Sequence, residues 1–318
     1  MARCIVTGGA GFIGSHLAEA LVRAGHHVVV VDNLSTGLEE NLAAFRKEIE
    51  FVHGDVRDTE RMRQVCRGAE VVFHQAALPS VPRSVADPWS TNDHNVNGTL
   101  SMLMASRDAG VRRFIYAGSS SAYGDTDELP KRETMPARPL SPYAVSKYAG
   151  ELYCQVFHRA YGLETVVLRY FNVFGPRQNP DSPYAAVIPK FIQAMLRGER
   201  PTVFGDGEQT RDFTFVANVV DANLRAAEAD AERVAGEIFN VGMGSRTSLN
   251  QLLTWLTELT GQTAGAVYGP PRVGDVRDSQ ADISKARRAF GYSPSVSLYE
   301  GLRRTLAWFR EREFLRQS

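Results

Sequence analysis

The chain has 318 residues, 43% of them hydrophobic, which exceeds what one compact core usually holds and points to one large domain with a smaller appendage, or to two domains. Basic and acidic residues balance at 36 each with no long run of either sign, which argues against a nucleic-acid tract and a polybasic membrane anchor. No apolar stretch is long enough to cross a bilayer, and the first motif starts so close to Met1 that no leader is expected, so the expected location is the cytoplasm.

Arg3 to Val6 read as a short buried strand that runs into Thr7-Gly8-Gly9-Ala10-Gly11-Phe12-Ile13-Gly14. In such a turn Gly8 permits the tight bend, Gly11 lets the backbone approach a pyrophosphate, and Gly14 lets the next helix pack closely. Phe12 and Ile13 then begin a helix whose N-terminal N–H groups face the phosphates. That helix is amphipathic through His16, Leu17, Leu21 and Val22 and stops at Gly25. A second strand, His27 to Val31, ends in Asp32, eighteen residues beyond Gly14. An acid there accepts hydrogen bonds from an adenosine ribose and repels a 2′-phosphate, so the expected cofactor is NAD rather than NADP.

Further buried parallel strands are expected at Glu50 to Val52, Val71 to Gln75, Phe114 to Ala117 and Thr165 to Tyr170, separated by helical patterns. The alternation predicts a doubly wound α/β sheet of the Rossmann type. Beyond Gly175 the texture changes, with Pro176, Pro180, Pro183, Pro189 and Pro201 and several glycine-rich turns. We therefore expect a cofactor domain over 1–175 and a smaller substrate domain over 176–318, interleaved because a strand near 237–242 returns to the main sheet. Cys4, Cys66 and Cys154 are odd in number and lie in apolar segments, which suits buried reduced thiols. The seven histidines show no helical metal spacing, and no metal is expected.

The run Tyr143-Ala144-Val145-Ser146-Lys147 places a phenol and an ammonium four residues apart, on one face of a helix. A phenolate at neutral pH needs its ionised form favoured by about three units, or roughly 4 kcal/mol. A fixed positive charge from Lys147, with a nicotinamide cation nearby, works in that direction. Ser119, at the carboxyl end of the strand Phe114 to Ala117, is placed to hydrogen-bond the substrate oxygen that Tyr143 deprotonates, while Lys147 also holds the nicotinamide ribose. A serine at a strand end can also be a simple cap; the glycine turn and the Tyr/Lys pair favour catalysis.

Taken together, Thr7 to Gly14, Asp32, Asp55-Val56, Ala76-Ala77, Ser119 and Tyr143 to Lys147 resemble, over essentially the whole chain, an extended short-chain dehydrogenase/reductase of the nucleotide-sugar epimerase and dehydratase family. The resemblance implies that Asp55 and Val56 contact the adenine, that Asn33 joins Asp32 in the cofactor site, and that Ala76 and Ala77 line the pocket. Family 4,6-dehydratases carry an Asp-Glu pair after the serine, and decarboxylases a glutamate at the position of Ser121; this chain has Ser120 and Ser121. Without an acid and a base for elimination, the simplest outcome is return of the hydride to the same carbon, which is epimerisation at C4.

The same resemblance implies that Asn172, Arg211 and Arg272 contact the diphosphate, that Asp275 binds the uridine ribose, and that Val203 and Phe204 line the base. Guanidinium forks suit phosphate because they bond two oxygens at once. Ser279 matches the position that walls the C2 substituent, and a serine leaves room for an acetamido group. Ser80 to Ser84, including Ser80 and Arg83, Ser119 to Ser121, and Ala185 to Pro189, including Ala186 and Val187, are similar to UDP-N-acetylglucosamine 4-epimerases; Pro79 departs from the glycine of many relatives. The expected substrate is a UDP-sugar, N-acetylated or not, and the alternatives are a UDP-glucose-only epimerase or another nucleotide-sugar oxidoreductase. A silent NAD-sensing regulator of the same fold is disfavoured by the filled Tyr/Lys/Ser positions. The family expectation is a homodimer built through helices near Asn92 to Arg107 and Tyr143 to Ala160.

Overall fold

The first strand, β1 (Arg3–Thr7), is buried along most of its length, and both neighbours run parallel to it, as its apolar sequence requires. The computed structural model describes residues 1–180, 186–262, 265–271 and 276–317. After β1 come β2 (His27–Asp32), β3 (Ile49–His53), β4 (Val71–His74), β5 (Arg113–Ser119) and β6 (Glu164–Tyr170). Four short strands follow, β7 (Val173–Phe174), β8 (Thr202–Phe204), β9 (Thr210–Arg211) and β10 (Thr214–Phe215), then β11 (Glu237–Val241), β12 (Thr247–Ser248) and β13 (Val267–Gly269). Among the described residues the main sheet has seven strands in the order β3-β2-β1-β4-β5-β6-β11, all pairs parallel.

Helices cover both faces: α1 (Phe12–Arg23), α2 (Thr59–Cys66), α3 (Val81–Ala86), α4 (Pro88–Asn92), α5 (Gly98–Asp108), α6 (Pro142–Tyr161), α7 (Val187–Leu196), α8 (Val216–Glu228), α9 (Ala231–Val234), α10 (Leu249–Thr260), α11 (Ser284–Phe290) and α12 (Leu298–Gln317). Successive strand side chains point to opposite faces. Cys4 and Val6 therefore join Leu17 and Leu21 of α1 and Val219 and Ala222 of α8. Ile5 instead joins Met62 of α2, Met102 and Leu103 of α5, and Cys154 and Phe157 of α6. A third cluster, with Phe191, Phe215, Leu252 and Leu306, lies between α7, α10 and α12.

The later residues are tied to the sheet at several places. β11 pairs with β6, Ile238 opposite Val167 and Asn240 opposite Arg169. Arg113, 1% exposed at the start of β5, donates to the carbonyls of Ala226 and Ala227 at 3.0 Å each and of Ala229 at 2.6 Å, and its Nη2 meets Glu164 at 2.6 Å. A cation at the C-terminal end of α8 is favoured by the helix dipole as well as by these bonds.

Candidate active site

Between β1 and β4 the chain departs in opposite directions, and in open α/β sheets this reversal leaves a crevice at the carboxyl ends of the strands. The glycine turn fills its floor. Gly8 has φ +64°, its N–H donates to the Val31 carbonyl at 2.8 Å, and a Cβ there would lie 2.8 Å from the backbone N of Ala76. A Cβ on Gly14 would sit 2.2 Å from the Gly8 carbonyl oxygen, so α1 packs on the turn more closely than any other residue allows. No side chain caps α1 at Gly11, which leaves the first turn, with Phe12 and Ile13, as a positive helix end suited to an anion.

Asp32 is 7% exposed, and its oxygens accept from Ala10 N–H at 2.9 Å and Leu34 N–H at 2.8 Å. Burial raises this carboxyl and the two N–H donors pull it back. An ionised carboxylate takes about four hydrogen bonds, so capacity remains for a ribose diol. The uncapped helix end and this carboxylate fit a dinucleotide without a 2′-phosphate. Asn33 reaches Asp55 at 2.9 Å, and Arg57 bonds the same carboxylate through Nε and Nη2 at 2.9 and 2.8 Å. Asp55 is thus held well below the ordinary carboxylate range, chiefly by Arg57, and Val56 beside it is buried. Ala76 and Ala77 are partly exposed, and Ala76 N–H donates to the Thr7 hydroxyl at 3.3 Å.

Helix α6 carries Tyr143 and Lys147, and its ends are well specified. Ser141 caps it by accepting from Ala144 N–H at 3.2 Å, Pro142 takes the first turn, and Gly162 closes it at φ +73°. Tyr143 is partly buried, and Lys147, 4% exposed, donates from Nζ to the Ala117 carbonyl at 2.9 Å and lies 5.0 Å from the Tyr116 ring centroid. Ser119, at the end of β5, lies 2.8 Å Oγ to Oγ from Ser121 and accepts from Ser121 N–H at 3.2 Å; Ser120 and Ser121 are partly exposed beside it. Burial raises the Tyr143 phenol, and a hydrogen bond with Ser119 partly offsets this. Burial also pushes Lys147 down to about 8. The expected lowering of the phenol is therefore absent among the protein's own groups, because desolvation outweighs the single hydroxyl.

The residues expected to bind substrate come from several separate segments. Ser80 caps α3, accepting from Arg83 N–H at 3.1 Å. Asn172 is exposed at the carboxyl end of β6 with φ +21°. Arg211 donates from Nη1 to the carbonyls of Thr210 and Arg277 at 2.9 and 3.0 Å. Ser279 N–H donates to the Thr210 carbonyl at 3.1 Å, which sets it beside the strand that carries Arg211. Ala186 is exposed and Val187 partly so. Val203 is fully buried in the third apolar cluster, so its side chain belongs to the core, and Phe204 beside it is partly exposed. Arg272 and Asp275 lie outside the described residues.

Residues 4–242 match the model of the NAD dependent epimerase/dehydratase family. The chain belongs to this family. A UDP-glucose 4-epimerase of Mycolicibacterium smegmatis is 41% identical over 314 residues, 98% of this chain and 99% of that one. Among solved structures, a UDP-glucose 4-epimerase of Thermotoga maritima with UDP-glucose is 43% identical, with a TM-score of 0.93 over 98% of this chain and 99% of that one. A UDP-N-acetylglucosamine 4-epimerase of Methanobrevibacter ruminantium in complex with UDP-N-acetylmuramic acid is 40% identical, with a TM-score of 0.93 and the same coverage. As in the rest of this NAD-dependent epimerase/dehydratase family, the dinucleotide of the crevice is NAD.

Two buried polar residues next to the run Tyr143 to Lys147 escaped the sequence reading. Asn95, 1% exposed, lies in a π-helical segment over 93–97 between α4 and α5; its Oδ1 accepts from Leu78 N–H at 2.8 Å and its Nδ2 donates to Ser146 Oγ at 3.0 Å. It joins the loop before Ser80 to the turn between Tyr143 and Lys147. Such π-turns often mark functional sites, but nothing in the local sequence announces one. Glu151, fully buried, stands one turn beyond Lys147, and its helical spacing was the available signal.

Proposed function

We propose that the chain is a UDP-sugar 4-epimerase, with 1–175 holding NAD and 176–318 holding the nucleotide sugar. The observation that carries this reading is Lys147 one turn from Tyr143 on α6, with Tyr143 hydrogen-bonded to Ser119 at the end of β5, and hydroxyls of Ser120 and Ser121 where the resemblance puts an acid–base pair for elimination. NAD, held by the glycine turn, the N-terminus of α1 and Asp32, would supply a hydride acceptor for C4 and a positive charge that favours phenolate. Tyr143 accepts the C4 hydroxyl proton and later returns it, Ser119 hydrogen-bonds the same oxygen, and Lys147 supplies the fixed charge that favours phenolate. The 4-keto sugar turns over in the pocket and is reduced on its other face, so there is no net redox and the cofactor stays bound. Asn172 and Arg211, with Arg272 and Asp275, grip the UDP group.

Ser279 is small enough to admit an acetamido group at C2, so UDP-N-acetylglucosamine and UDP-glucose are both proposed substrates. We further propose a homodimer: Val145, Leu152 and Val156 of α6 are 52%, 44% and 53% exposed and form an apolar stripe at helical spacing. The three buried free thiols suit a reducing, cytoplasmic location. Proton NMR of the purified enzyme with each UDP-sugar, without added NADH, tests the reading: C4-inverted products are expected, and no conversion of either sugar overturns it. Ser279→Tyr is expected to depress turnover of the acetylated sugar at least tenfold more than that of UDP-glucose, since an aromatic ring fills the space a few kcal/mol of contact depends on; equal losses remove Ser279 as the gate.

A further inference from the structure

Helix α6 stacks three polar side chains at intervals of four residues, Tyr143, Lys147 and Glu151, and the third has no part in the mechanism above. Glu151 is fully buried, yet it is tightly bound: Arg169 of β6, itself 2% exposed, donates from Nε to its two oxygens at 3.1 and 3.0 Å and from Nη2 at 2.7 Å. A Cβ on Gly118 of β5 would come within 3.0 Å of Glu151 Oε1, so the strand leaves just enough room for the carboxylate. The guanidinium lies 4.6 Å from the Tyr123 ring centroid, and one of its nitrogens, Nη1, has no hydrogen-bond partner. A buried pair of this kind is weak as a source of stability, because desolvation cancels most of the attraction. Its position asks for another account.

We propose that Glu151 is a positioning residue for the catalytic pair: locked by Arg169 one turn behind Lys147, its carboxylate is the counter-charge that keeps the lysine an ammonium. The groups around Lys147 leave few other candidates. On α6 they are Tyr143, Glu151 and the Cys154 thiol; on β5, Tyr116 and the Ala117 carbonyl; on β4, His74, which burial keeps neutral by pushing it down to about 3. Around Glu151 stand Arg169 from β6, Tyr116 and Gly118 from β5, and Lys147 and Cys154 on its own helix. Burial lowers Lys147, and Glu151 is the foremost group acting against that. Burial likewise raises Glu151, while the bidentate Arg169 and Lys147 favour its ionised form.

The inference rests on Lys147 as the catalytic lysine, and the test reads the lysine directly so that the two fail separately. The chain has five lysines, so lysine labelled with 13C at Cε gives a sparse spectrum in which Lys147→Met identifies one resonance. In the unaltered chain that resonance should titrate near pH 8. In Glu151→Gln the midpoint should fall by about one unit or more, the usual influence of an opposite charge at close range. Because Arg169 then lacks its partner, the paired variant Glu151→Gln with Arg169→Met, closer to neutral and similar in volume, supplies a second chain whose fold is checked by thermal unfolding. A folded pair with Lys147 still shifted down, and the alkaline limb of kcat/KM shifted with it, supports the proposal. A folded pair in which Lys147 keeps its midpoint overturns it, as does a shifted midpoint with an unmoved alkaline limb.

Discussion

Tyr143 and Lys147 are each moved by burial in the direction that opposes ionisation, the phenol up and the ammonium down to about 8. For the pair to act as the proposed base, positive charge has to be concentrated next to the hydroxyl, and among the protein's own groups the phenol has only the Ser119 hydrogen bond working in that direction. Tyr143→Phe removes the hydroxyl and keeps the ring, so turnover should fall by about a thousandfold or more, the scale of a lost general base. Retained NAD, read from the absorbance of the purified variant, and an unchanged melting temperature should accompany that loss; epimerase activity within tenfold of the original would remove Tyr143 from its role. The spacing of Tyr143 and Lys147 was legible in the sequence because a helix has one period. The direction of their titration was not, since desolvation depends on what the rest of the chain packs around them.

At the level of elements, the join between β1 and α1 is the most constrained part of the cofactor site. A methyl group at Gly14 would meet the Gly8 carbonyl oxygen at 2.2 Å, and since that atom is backbone, the helix itself must move. Gly14→Ala should therefore lower stability by about 1–3 kcal/mol, as overpacking usually does. It should also reduce NAD retention, because the N-terminus of α1 shifts with the helix. Urea unfolding together with cofactor content of the purified protein checks both, and full retention with unchanged stability would show that the turn relaxes freely. This strand, turn and helix were readable from Arg3 to Gly25, as were the strands ending at Asp32 and Ser119. Near Asn92 to Arg107 only helix was expected: the π-turn over 93–97, which aims Asn95 at Leu78 and Ser146, follows from tertiary packing.

Across the whole molecule, Asp212 ties distant segments together beside the proposed substrate arginine. Fully buried, it accepts from the N–H groups of Met243, Gly244 and Ala281 at 2.7, 3.0 and 3.0 Å, so one carboxylate joins the strand that carries Arg211 to the turn after β11 and to the segment after Ser279. Burial raises it to about 6 against an ordinary value of 3.8, with the backbone donors pulling the other way. Its folded form holds the proton more tightly than the unfolded chain does, so its contribution to stability is largest below about pH 4 and declines as pH rises to about 6, then stays level. Measured against Asp212→Asn, which does not titrate, the unfolding free energy of the original chain should drop by about 2.4 kcal/mol between pH 4 and pH 7, at up to about 1.36 kcal/mol per unit. A difference that is flat across that range would mean the carboxyl titrates normally.

By itself the sequence determined the fold class, the NAD family and the identity of the pair on α6. These depend on local periodicity, on glycine positions and on residue types at short spacing, all of which are written along the chain. Only the tertiary structure decided that Val203 belongs to the core, that Asp55 is bound by Arg57 and Asn33, and that Glu151 and Arg169 stand behind Lys147. Apart from the local Arg57–Asp55 bond, those outcomes depend on residues distant in sequence, such as Asn33 with Asp55 and Glu151 with Arg169. Burial, and with it every shift in ionisation, exists only once the sheet has brought them together.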